Sequence, residues 1–131
     1  MNTKAILLHL AALGLAGALG TWARYGATLL TQRVLGESFP YGTFLVNVAG
    51  AFLFGFVWML LGSRGAMSLE LRFYILTGFM GAFTTFSTLM FESSELMRED
   101  RVAAFAAYLG GQMVLGALAV AAGIAAGRAV G

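Results

Sequence analysis

Charged residues cluster along the chain and leave four apolar stretches, 5–23, 38–63, 73–91 and 102–127, without a single Asp, Glu, Lys or Arg. Apolar side chains in these stretches occupy every face of a helix, where a half-buried soluble helix shows one stripe. A helix needs about 20 apolar residues to cross the hydrocarbon core of a bilayer. The pattern therefore predicts an all-α membrane protein of four transmembrane helices, over 5–32, 41–61, 69–97 and 102–127, forming one domain across residues 1–131. The first stretch, with Lys4 ahead of it and Ala16, Gly17, Ala18 and Gly20 near its end, also has the outline of a cleavable signal peptide. It is read as a span because the apolar run resumes beyond Arg24. A β-barrel would need strands alternating polar and apolar residues, which these stretches lack.

Punctuation between the stretches supports the layout. Pro40 stands at or just before the first turn of the second span, where a missing N–H costs least. Gly62-Ser63-Arg64-Gly65 breaks the second span, Ser68 with Glu70 marks the N-terminus of the third, and Arg98-Glu99-Asp100-Arg101 forms a charged turn into the fourth. Short connections make successive spans antiparallel neighbours.

Composition sharpens this picture. The chain is 60% hydrophobic and 11% charged, so too little remains outside the spans for an extramembrane domain. Cysteine is absent, which excludes a disulfide scaffold and Cys-based metal sites. The net charge of +2 is spread over both sides and implies no nucleic-acid partner. No paired carboxylates, nucleophile–base pair or phosphate loop occurs, so the chain is not read as an enzyme.

The basic residues divide almost evenly between the two sides of the membrane. One side carries Lys4, Arg64, Arg72 and Arg128; the other carries Arg33, Arg98 and Arg101, with Arg24 at or inside the interface. The positive-inside rule reads orientation from the difference in such counts, and here it nearly vanishes. Either one helix or an insertion factor decides orientation, or the chain inserts both ways as a dual-topology, antiparallel homodimer. Small residues at four-residue spacing, Ala119, Gly123 and Gly127, and Ala51 with Gly55, offer close helix packing between chains or within one. Gly14, Gly17 and Gly20 form a further small face.

Polar groups at membrane depth mark candidate chemistry. Thr43 and Asn47 share one helical face, and Tyr108 and Gln112 share another. In the third span, Gly81-Ala82-Phe83-Thr84-Thr85-Phe86-Ser87-Thr88 is poor helix material, because glycine loosens the backbone and hydroxyl side chains compete for its hydrogen bonds. The alternatives are an intact helix with back-bonded hydroxyls, or a third helix broken between Gly81 and Thr85, with the break preferred. This neutral, donor-rich lining suits an anion. His9 is read as a helix-surface or interfacial histidine, and Trp22, Trp58 and Tyr41 as interfacial anchors.

At these residues the chain resembles the Fluc (CrcB) fluoride channels. The likeness runs through Gly17-Ala18-Leu19-Gly20-Thr21-Trp22-Ala23-Arg24-Tyr25, Tyr41-Gly42-Thr43-Phe44-Leu45-Val46-Asn47-Val48-Ala49-Gly50, residues 77–88, Glu92 and Tyr108. The resemblance implies a fluoride-selective channel that lets fluoride leave the cytoplasm passively and so protects against its toxicity. It implies a multi-pass protein of a bacterial or archaeal plasma membrane, surrounded by lipid and acting as an antiparallel dimer with two fluoride pathways. Asn47 would offer an amide N–H, Phe86 its ring edge, and Thr43, Ser87, Thr88 and Tyr108 their hydroxyls. Arg24 would draw anions to the mouth. Glu92 is read either as a cap or pairing group at a vestibule or, alternatively, as a structural partner for Arg98 or Arg24. The carbonyls of Gly81 and Thr84 would hold a structural sodium ion, Na+, at the dimer axis. Two departures stand out: Leu89 replaces the second phenylalanine of the family's pair, and Gln112 replaces a small hydroxyl residue, as a donor or as a constriction. The alternative, a small four-helix proton-coupled multidrug exporter, needs a carboxylate in the first span, which has none.

Overall fold

The structure is a computed structural model and describes residues 2–63 and 68–130; Arg64 and Gly65 of the expected break lie outside the described residues. Among the described residues four helices are long and apolar enough to cross a membrane: Thr3–Leu35, Tyr41–Gly62, Leu69–Arg98 and Val102–Val130. The protein is an all-α, multi-pass membrane protein. Helix α1 (Thr3–Leu35) is capped by Asn2, whose side chain accepts from the Ala5 N–H, and ends at Gly36 with φ 80°, a backbone position suited to glycine. Its 33 residues span about 50 Å, more than the ~30 Å hydrocarbon core, so α1 reaches past it. Helix α2 (Tyr41–Ser63) starts directly after Pro40, whose carbonyl accepts from Phe44 at 3.2 Å.

The third span is built of pieces. Ser68 caps α3 (Leu69–Phe73) by accepting from Leu71 at 3.2 Å. A wide π-helical stretch, Tyr74–Met80, follows, then one turn, α4 (Gly81–Phe83). The chain is extended at Thr84 and Thr85 before α5 (Phe86–Arg98) begins. Helix α6 (Val102–Val130) returns after a turn in which Asp100 has φ 57°. The break between Gly81 and Thr85 is present and the intact-helix alternative does not hold; a single hydroxyl back-bond remains where the helix ends, from Thr84 to the Met80 carbonyl at 3.1 Å.

Packing uses the small residues within the chain. Helices α2 and α6 form the most extensive contact, and a Cβ added to Gly123 would lie 2.1 Å from the Phe52 carbonyl oxygen. One at Gly55 would lie 2.4 Å from the Val120 carbonyl oxygen, so the stripes of α2 and α6 face each other. Of the α1 glycines, Gly20 abuts the Phe79 carbonyl of the π-helical stretch, whereas Gly14 faces open space. His9 hydrogen-bonds the Tyr74 hydroxyl and meets its ring edge-on, so it ties α1 to the third span and is more than a surface histidine. A small core of Leu89, Leu96 and Tyr108 joins α5 to α6.

Candidate functional site

Breaking a helix inside the membrane leaves backbone groups without partners, and each must be satisfied locally. Asn47 on α2 does this for Thr85 with both ends of its amide. Its Nδ2 donates to the Thr85 carbonyl at 2.9 Å, and its Oδ1 accepts from the Thr85 N–H at 2.7 Å. Thr85 then caps α5: its hydroxyl oxygen accepts from the Thr88 N–H at 3.3 Å while its proton goes to the Thr88 hydroxyl at 2.9 Å. Gly50, one turn after Asn47, admits this packing, since a Cβ there would lie 2.3 Å from Thr84 Cγ2.

These bonds free two carbonyls. The N–H of Thr85 would serve Gly81 in an unbroken helix and instead serves Asn47; the N–H of Thr88 would serve Thr84 and instead serves Thr85. Gly81 is exposed with open space around it. Carbonyl oxygens without a helical N–H partner are hard donors whose chemistry fits an alkali cation.

One turn and a half into α5, Glu92 is held from both sides. Thr43 of α2 donates to Oε1 at 3.0 Å, and the fully buried Tyr108 of α6 donates to Oε2 at 2.5 Å. Glu92 thus stitches three helices together. Neither Arg98 nor Arg24 pairs with it: Arg98 bonds Glu95, and Arg24 has no ion pair among the described residues.

Two hollows flank the break. One, of about 240 Å³, is lined by Thr21, Arg24, Thr28, Thr43, Thr88 and Glu92, among others, and opens toward a second space of about 220 Å³ that shares Thr28, Thr43 and Glu92 and contains Glu37, Glu95, Glu99 and Arg101. The other hollow, a groove of about 340 Å³, holds Asn47, Phe86, Leu89 and Gln112 against apolar walls. Thr85 borders both.

A family model described as CrcB-like protein, Camphor Resistance (CrcB), matches residues 11–124. The chain belongs to the CrcB family. A protein named "Fluoride-specific ion channel FluC" from Nitratidesulfovibrio vulgaris (strain Miyazaki F) is 54% identical over 118 residues, 90% of this chain and 95% of that protein. Proteins of the same name from Solidesulfovibrio magneticus and Nitrosococcus oceani are each 50% identical, over 95% and 85% of this chain and 100% and 89% of theirs.

In this CrcB chain the residues singled out from sequence do not fall on one continuous surface. Arg24, Thr43, Thr88 and Glu92 meet in the polar hollow, while Asn47, Phe86 and Gln112 meet in the apolar groove. Ser87 is exposed, 3.5 Å from the Thr85 hydroxyl, and Tyr108 is buried behind Glu92. Phe86 is 69% exposed, its ring open to the groove, whereas Leu89 is 2% exposed and serves the core. Gln112 is buried, and its Oε1 has no hydrogen-bond partner among the described residues. Sequence reasoning did not assign Thr21, Thr28 or the cap at Thr85. Thr21 and Thr28 are seven apart and so share an α1 face with Arg24 and Tyr25, a spacing that could have revealed them.

Proposed function

We propose that this CrcB protein is a fluoride channel of the plasma membrane, acting as an antiparallel homodimer in surrounding lipid. The observation that carries this reading is the agreement, at 54% identity over 118 residues, with a protein named for that activity. It is a channel and not an enzyme, in keeping with the CrcB family match and with relatives named as ion channels.

Fluoride holds its water tightly, so a pore must replace hydration with several modest donors and no deep trap. Arg24 is the cation of the polar hollow and concentrates anions at its mouth. Thr43 and Tyr108 give their single hydroxyl protons to Glu92, so an arriving fluoride competes with that carboxylate for them. Thr88 and Ser87 supply further hydroxyls, and Asn47 keeps one amide N–H beyond the bond it gives to Thr85. Phe86 presents its ring to the groove, where its positive edge can face an anion. Gln112 borders the same groove; its unpaired atom is the amide oxygen, an acceptor, so there it constricts the path and does not donate to the anion.

The near-equal basic count on the two sides supports insertion in both orientations. A pair of opposed chains brings together grooves that each chain leaves open. The carbonyls freed at Gly81 and Thr84 of each chain would hold Na+, whose positive charge would offset the repulsion among the four carbonyls of the two breaks.

Fluoride efflux from liposomes containing only this protein tests the reading. Fluoride is expected to leave far faster than chloride; efflux no faster than from empty vesicles would overturn it.

A further inference from the structure

At the membrane end opposite the polar hollow, α2 finishes and α3 begins, and one cation there has no ion pair among the described residues. Arg72 lies half-buried with its guanidinium carbon 3.8 Å from the centre of the Trp58 ring. One Nη donates to the Trp58 carbonyl in a long contact of 3.5 Å, and Nε is buried with no hydrogen-bond partner among the described residues. The ion pairs among the described residues, Arg98 with Glu95 and Arg101 with Glu99, both lie at the other end of the helices. Indole stacking fixes the plane of the guanidinium without neutralising it.

Beside it lies a hollow of about 310 Å³ whose walls are Phe54, Trp58, Leu69, Phe73, Leu76 and Thr77, with Arg72 as its charged member. Phe54, Trp58, Leu69 and Phe73 are 40%, 50%, 82% and 46% exposed, so the hollow opens sideways, where the hydrocarbon lies. Gly62 stands next to the guanidinium: a Cβ there would be 3.7 Å from Nη1, and glycine places no side chain against the charged fork. An uncompensated, oriented cation at the interface above an apolar trough complements a molecule with an anionic phosphate at one end and acyl chains below it.

We propose that this hollow is a binding site for an anionic phospholipid, with the phosphodiester on the Arg72 fork and an acyl chain along Phe54, Phe73 and Leu76. Trp58 orients the arginine and takes up the interfacial level typical of tryptophan.

The test uses the full chain in neutral detergent micelles, with phosphatidylglycerol and phosphatidylcholine offered in equal amounts and retained lipid counted by native mass spectrometry. The wild type is expected to retain phosphatidylglycerol with about tenfold preference, as one charge-assisted bond requires. Arg72→Gln should abolish that preference. Gly62→Leu, which keeps the arginine and its indole contact but screens the fork, should abolish it as well, and fluoride efflux in phosphatidylcholine liposomes reports that this variant is folded. Millimolar inorganic phosphate should leave the bound lipid in place. Equal retention of the two lipids, preference unchanged in a folded variant, displacement by inorganic phosphate, or retention of neither lipid because a second copy covers the hollow would each overturn the assignment.

Discussion

Asn47 and Phe86 sit in the same groove yet carry different burdens. Asn47 makes two hydrogen bonds to the Thr85 backbone, so Asn47→Ala would leave an N–H and a carbonyl unpaired in a poorly hydrated site. A loss of about 3 kcal/mol is expected, read as a lowered melting temperature in detergent. Asn47→Asp can still accept from the Thr85 N–H but repels the Thr85 carbonyl and any passing anion, so it should slow fluoride efflux at least about tenfold. Phe86 is 69% exposed and supports no core, so Phe86→Ile should leave the melting temperature almost unchanged while slowing efflux strongly. Wild-type efflux in Phe86→Ile would remove the aromatic ring from the proposed lining. Asn47 was legible from sequence as a polar residue at membrane depth. Its role as the clamp of a distant helix break was not, because Thr85 lies 38 residues away and the pairing exists only once α2 and the third span pack.

At the scale of elements, the broken third span shows how far propensity reaches. Glycines followed by a hydroxyl-rich run weaken a helix locally, and the break falls there, at Thr84 and Thr85. The π-helical stretch Tyr74–Met80 carries no comparable sequence signal; it lies where the α1 backbone presses in at Gly20, a tertiary constraint. The small-residue stripes make the same point. From spacing alone they suit contacts within a chain or between chains, and the structure uses those of α2 and α6 within one. Gly123→Val should therefore force α2 and α6 apart and cost about 3 kcal/mol or more. Gly14→Ala, where nothing lies within 4 Å, should be close to neutral or slightly stabilising through helix propensity. Thermal unfolding of the two variants side by side checks both.

For the whole molecule, the even division of basic residues becomes a statement about insertion. A tag at one terminus should be labelled from both sides of the membrane in a cell population, and labelling from one side alone would sink the antiparallel reading. Gln32→Lys with Glu37→Lys adds positive charge to the side already carrying Arg33, Arg98 and Arg101, so labelling should then come from a single side. The balance is visible in the sequence because topology rules act on charge counts near helix ends. The meeting of the polar residues is not visible there. Arg24, Thr43, Thr88 and Glu92 come from three spans, and their grouping into a hollow separate from that of Asn47, Phe86 and Gln112 depends on how the helices rotate.

By itself the sequence determined the four spans, their order, the weak point of the third and the family, because each of these follows from local composition or from residues in fixed order. Only the tertiary structure decided what Glu92 bonds, which hydroxyls face which hollow, and that Asn47 completes the break. Those are contacts between side chains and backbone far apart in the chain, and their geometry is set by the close approach of helices at glycine and by the need to satisfy every polar group away from water.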